Sequence, residues 1–127
     1  MTQDNSAKIL LIVDDSRLSR MMIRSMVLAQ HPNWIIIEAA SGEEALESVD
    51  QNMPNFCTMD INMPGMLGTD ATEQILLKYP NIRIAIFSAN TQEYYRTHAA
   101  KLGAQFVSKP ITEKSIVKAL EFFELEP

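Results

Sequence analysis

The sequence predicts an α/β domain: a doubly wound, parallel five-stranded sheet with five helices on its two faces. Three observations predict it. Five short apolar runs alternate with five longer segments of 3.6-residue periodicity, the signature of repeated βα units. Several of the runs are continuously apolar rather than alternating, as strands buried on both faces require. No linker or low-complexity stretch interrupts the 127 residues, a length near that of one ordinary domain. Right-handed crossovers then place helices on both faces and gather ligands at the carboxyl ends of the strands.

The elements follow in order. Lys8 to Val13 is a strand that stops abruptly at Asp14-Asp15. Ser16 to Gln30 carries Met22, Ile23, Met26 and Val27 at helical spacing, with Ser16 or Asp15 as N-cap. His31-Pro32-Asn33 breaks it, and Trp34 to Ala39 is the second strand. Ser41-Gly42-Glu43-Glu44 opens the second helix with capping-box spacing, and that helix fades before Pro54. Phe56 to Asp60 is the third strand, and a loop around Met63-Pro64-Gly65 leads to a helix from Gly68 to Tyr79 with Ala71, Ile75 and Leu76 as its buried stripe. Ile82 to Phe87 is the fourth strand, closed by Ser88. Thr91 to Leu102 is a helix ended by Gly103, a residue suited to the left-handed position after a helix. Ala104 to Ser108 is a short fifth strand, Lys109-Pro110 a turn, and Thr112 to Glu124 the last helix.

Composition removes several function classes. Apolar residues make up 46% of the chain and charged residues 21%, enough to bury one core and too apolar for a disordered tail. No run approaches the roughly 20 apolar residues that cross a bilayer, and the polar opening Met1 to Ala7 lacks a secretory signal. A net charge of −5 argues against a nucleic-acid footprint, which needs a basic face. The single cysteine, Cys57, lies inside a strand as a small core residue and excludes both an internal disulfide and a cysteine zinc site. A reducing, cytoplasmic setting is expected. His31 and His98 have no partner at metal-ligand spacing, and Trp34 is read as structural.

The strand ends carry the chemistry. Asp14-Asp15, Asp60, Ser88 and Ser108-Lys109 finish four of the five strands. Any one of them has an ordinary explanation: Asp15 as a helix cap, Asp60 or Ser88 as a turn residue, Lys109 as a solvated charge. Together they put three carboxylates, a hydroxyl and an ammonium on one rim. Adjacent strands lie about 4.8 Å apart, so strand ends can share one small ligand. Crowded carboxylates repel, raising at least one pKa unless a cation relieves them. An all-oxygen site suits Mg2+ better than zinc. With an ion drawing charge off phosphorus, a carboxylate becomes a feasible nucleophile, and a lysine is the natural partner of the aspartyl phosphate it forms.

Asp14-Asp15-Ser16 after an apolar strand, Asp60-Ile61-Asn62-Met63-Pro64 with Gly68, Ser88-Ala89, and Lys109-Pro110, in this order, resemble the receiver domain of two-component response regulators, in particular the single-domain chemotaxis regulators. The likeness runs from about Lys8 to Phe123 and implies a flavodoxin-like sheet of strand order 2-1-3-4-5. It implies one receiver domain over residues 1–127, with its core about 8–123 and no output domain. By the same resemblance Asp60 is the phosphoacceptor, and Mg2+ is held by Asp15, by Asp14 through water, by Asp60 and by the backbone carbonyl of Asn62. Ser88 grips the phosphoryl group and, with Ala89, pulls the next loop inward; Lys109 pairs with phosphate and its bond to Pro110 is cis. Phe106 stands at the aromatic switch position, where phenylalanine can signal by packing alone. A histidine kinase or histidine phosphotransfer protein is implied as donor. Arg17, Arg20 and Arg24 on the first helix, with Leu18 and Met21 beside them, form a candidate donor face. Tyr94, Arg96, Lys114 and Lys118 are candidates for the output face built on the fourth helix, fifth strand and fifth helix.

The expected function is thus a phosphorelay switch and not an enzyme acting on an external substrate. Three other readings stand beside it. A phosphorylation-independent binding module would not need the acids, hydroxyl and lysine. A Mg2+-dependent phosphohydrolase commonly uses an Asp-x-Asp motif on its first strand and a cap insertion, where this chain has Asp14-Asp15-Ser16 and short connections. A dinucleotide-binding domain lacks its Gly-x-Gly-x-x-Gly here.

Overall fold

In the computed structural model, which describes residues 7–90 and 92–125, β1 (Ile9–Val13), β3 (Phe56–Asp60) and β4 (Arg83–Ser88) fill the centre of one parallel sheet. The edges are β2 (Ile35–Ala39) and β5 (Gln105–Ser108), giving the order β2-β1-β3-β4-β5 that the resemblance implies. Residues 1–6 of the polar opening, and Thr91 at the expected start of the fourth helix, lie outside the described residues.

Burial explains the strand composition. Every residue of β3 is buried, as are all but the first of β1 and β4, so an uninterrupted apolar run is what these positions demand. Edge strand β2 is half exposed despite its isoleucines, because only one neighbour covers it. Alternate residues feed two cores. Leu10, Ile12, Phe56, Ala85 and Phe87 pack under α1 (Arg17–Gln30) and α5 (Glu113–Phe123). Leu11, Val13, Cys57, Met59, Ile84 and Ile86 pack under α2 (Gly42–Asn52), α3 (Gly68–Lys78) and α4 (Glu93–Leu102). Trp34 stands one residue before β2, its ring stacked on His31 at 4.1 Å and tilted against Phe56 at 5.3 Å. Phe56 in turn stacks on Phe123 at 4.7 Å, so the tryptophan is structural, as its sequence position suggests.

The helix starts follow local hydrogen bonding. Ser16 caps α1 by accepting from the Ser19 N–H, so Ser16 and not Asp15 is the N-cap. Ser41 caps α2 through the Glu44 N–H, but the Glu44 carboxylate accepts from the Ala40 N–H instead of closing the box on Ser41. The reciprocal capping box appears at α5, where Thr112 and Ser115 exchange bonds. By contrast α3 and α4 begin at Leu67 and Gln92 with no side-chain cap. Gly103 ends α4 at φ 82°, the left-handed geometry expected for it. Among the described residues no helix is long and apolar enough to cross a membrane.

Candidate functional site

The carboxyl ends of β1, β3, β4 and β5 converge, and each contributes one of the residues singled out by sequence. Asp14 follows β1 and keeps its N–H on the Ala39 carbonyl, 3.1 Å away, which prolongs strand pairing by one residue and leaves the residue only 1% exposed. Its Oδ1 accepts from the Ser16 N–H at 2.9 Å and its Oδ2 from the Lys109 ammonium at 3.1 Å. Asp15 is exposed at the mouth. Asp60, the last residue of β3, is 7% exposed and lies 3.5 Å from the Lys109 Nζ. One carboxylate oxygen from each of Asp14, Asp15 and Asp60 lies within 4.8 Å of the other two. Three oxygen donors at that spacing suit a hard divalent cation.

Crowding has the electrostatic cost foreseen from the sequence. Burial, reinforced by the Asp14 charge, pushes the Asp60 carboxyl from its ordinary 3.8 up to about 6, and Lys109 recovers only part of that rise. Burial alone would lower the Lys109 pKa, but the charges of Asp14 and Asp60 overcome it and hold the ammonium above its ordinary value. Lys109 therefore supplies a permanent positive charge against the acids.

Ser88, 1% exposed at the end of β4, accepts through its Oγ from the Asn90 N–H at 3.0 Å. Ser88 pairs with Ser108 in the ladder, and the Ser88 carbonyl accepts from the Lys109 N–H at 2.9 Å, fixing the lysine one residue beyond β5. The Lys109–Pro110 bond is cis, as the resemblance implies. Ala89 is exposed in the following loop, as is the Asn62 side chain after β3. Phe106 is buried on β5 beside Ile86.

Several contacts were not legible in the sequence. A Cβ on Gly68 would lie 1.8 Å from the Asp60 carbonyl oxygen, so α3 starts in van der Waals contact with the backbone of the acidic site. The Gly68 and Met63 N–H groups both donate to the Ile61 carbonyl, folding the loop tightly after Asp60. Arg20, half-buried, donates to the Asp14 carbonyl at 2.6 Å and pairs with Glu38 at 2.9 Å. It turns inward from the expected basic stripe and braces the site. Arg24 reaches Glu38 from the surface, and Arg17, Leu18 and Met21 remain exposed on α1. The signal for Arg20 was Glu38, a single acid in an isoleucine-rich strand. Tyr94 is 66% exposed on α4, and Lys114 and Lys118 are exposed on α5. Arg96 instead lays its guanidinium over the Phe106 ring, 4.9 Å from the centroid.

Comparison with known proteins agrees with this fold. Residues 10–121 match the response regulator receiver domain family. The chemotaxis protein CheY of Thermotoga maritima is 38% identical over 114 residues, covering 89% of this chain and 94% of that protein. The transcriptional regulatory protein DegU of Brevibacillus brevis is 32% identical over 122 residues, where this chain spans about half (51%) of the relative's length. A CheX-CheY-BeF3-Mg2+ complex from Borrelia burgdorferi superposes with a TM-score of 0.86 at 25% identity, over 94% of this chain and 90% of the matched one.

Proposed function

Because this chain belongs to the response regulator receiver domain family of two-component signalling, we propose that it is switched by phosphoryl transfer from a phosphohistidine on a donor protein to Asp60. A histidine kinase or a histidine phosphotransfer protein supplies the phosphoryl group. The phosphorus–nitrogen bond of the donor breaks, a bond from phosphorus to a carboxylate oxygen of Asp60 forms, and the imidazole leaves with a proton. The chain catalyses this change only on itself.

One observation carries it: a buried carboxylate at a strand end, within 4.8 Å of two further acids, faces the ammonium of Lys109. Asp14, Asp15, Asp60 and the Asn62 carbonyl would hold Mg2+, which neutralises the acids and draws charge off the phosphoryl oxygens when bound. Lys109 pairs with the new phosphoryl group in place of Asp14. The Ser88 hydroxyl already accepts from Asn90, which leaves its proton to be donated to a phosphoryl oxygen. That donation draws Ala89 and the loop before α4 toward Asp60.

Each charge-assisted hydrogen bond contributes about 1.5–3 kcal/mol. Two of them, from Ser88 and Lys109, approach the roughly 5.5 kcal/mol that inverts a two-state equilibrium from 1:99 to 99:1. Phosphorylation thus biases the β4–α4 loop, Phe106 and the face formed by α4, β5 and α5, where Tyr94, Arg96, Lys114 and Lys118 lie. Arg17, Arg24, Leu18 and Met21 on α1 are the residues offered to the donor, with Arg20 as their internal brace.

Incubation with Mg2+ and acetyl phosphate, followed by mass spectrometry and peptide mapping, tests the assignment. One phosphoryl increment on Asp60 is expected, absent from Asp60→Asn and from protein treated with a chelator. An increment that persists in Asp60→Asn overturns it.

A further inference from the structure

Phe106 poses a problem that its neighbours answer. Phenylalanine has no hydroxyl, so no hydrogen bond of its own can hold the ring in its buried position or report that position to α4. The helix is in turn weakly attached: it buries only Ala99 and starts without a side-chain cap. Between them lies Arg96, on α4. Its guanidinium covers the Phe106 ring at 4.9 Å, and its Nη2 donates to the Ser108 Oγ at 3.3 Å. Ser108 is the ladder partner of Ser88 and directly precedes Lys109. One side chain thus joins α4 to the ring and to the strand end that carries the phosphate-pairing lysine.

We infer that Arg96 is a positioning residue that makes the burial of Phe106 and the placement of α4 a single two-state event; this rests on the phosphorylation reading above and deepens it. A guanidinium suits the task because its flat face stacks on the ring while its edge keeps N–H groups for a hydroxyl, a combination an ammonium lacks. With the arginine in place, a ring that swings out loses its contact with Arg96, and a slide of α4 both uncovers the ring and pulls Arg96 from Ser108. A partly exposed cation–π contact contributes about 0.5–1 kcal/mol, or roughly a two- to fivefold bias toward the buried ring. That is too little to stabilise the fold appreciably, but enough to link two elements whose own attachments are slight.

Nuclear magnetic resonance on the whole chain tests this, with beryllofluoride and Mg2+ as the phosphoryl mimic. In the wild-type protein the Phe106 ring and the α4 amides are expected to respond along one titration curve. In Arg96→Ala, beryllofluoride still occupies Asp60 with affinity within about twofold, while the ring and the α4 amides separate into two curves. The ratio of buried to exposed ring before addition falls about two- to fivefold. Arg96→Lys restores the link only in part, and Arg96→Ala with Phe106→Leu behaves as Phe106→Leu alone. A variant Arg96→Ala whose ring and helix still respond together overturns the inference. No beryllofluoride signal at Asp60 in the wild type strikes the phosphorylation reading instead, so the two failures are distinguishable.

Discussion

On one side of β5, α5 buries Ser115, Ile116, Ala119, Leu120 and Phe123 and starts in a reciprocal capping box. On the other side, α4 buries Ala99 alone, starts uncapped and is tied to β5 by Arg96. The two helices flank one strand, yet one is anchored along its length and the other at a few points. Local opening free energies follow buried contacts and satisfied ends. The difference teaches where this domain opens most easily: α4 is held at a few points, whereas α5 beside it is anchored along its length.

Removing α5's anchor gives the largest effect. Phe123→Ala deletes a ring stacked on Phe56 and is expected to cost about 3–5 kcal/mol, read from chemical denaturation. Phosphoryl uptake per folded molecule should be unchanged, since Phe123 lies at the opposite end of the sheet from Asp60. Gly68→Ala tests the fixed side of the site. Its Cβ must displace the Asp60 carbonyl, so a loss of about 1–3 kcal/mol with near-complete loss of acetyl phosphate labelling is expected.

The acids themselves come next. Without metal, Asp60 keeps its proton up to about pH 6, whereas an unfolded chain releases it near 3.8. A raised native pKa means stability is highest below about pH 4 for this group and falls as pH rises to 6. Asp60→Asn in chelator should flatten that fall and stabilise the protein at pH 7 by about 1–2 kcal/mol, a shift of this size being discounted for partial solvation. Added Mg2+ should stabilise the wild type more than the variant.

The smallest effect sharpens the contrast most directly. Gln92→Asp gives α4 the cap it lacks and should stabilise it by about 0.5–1 kcal/mol, while Thr112→Ala removes α5's cap at a cost of about 1 kcal/mol. Hydrogen exchange should show slower α4 amides in the first variant and faster α5 amides in the second. Equal protection of both helices in the wild type would remove the basis of the comparison.

The sequence by itself determined the element order, the two-sided burial of the central strands and the rim on which acid, hydroxyl and lysine gather. Those follow from periodicity and from residue types at strand ends, which are local properties. It also narrowed the α1 cap to Ser16 or Asp15 and placed Ser41 at the start of α2, because capping is decided within four residues, while the reciprocal capping box formed at Thr112 and Ser115 instead. Which acid is sunk and which exposed, Arg20 turning inward to brace Asp14, Gly68 touching the Asp60 backbone and Arg96 covering Phe106 were settled only by tertiary structure. Each of these joins residues on different elements, and its strength depends on distance and burial, quantities that exist only after the strands are aligned and the helices packed.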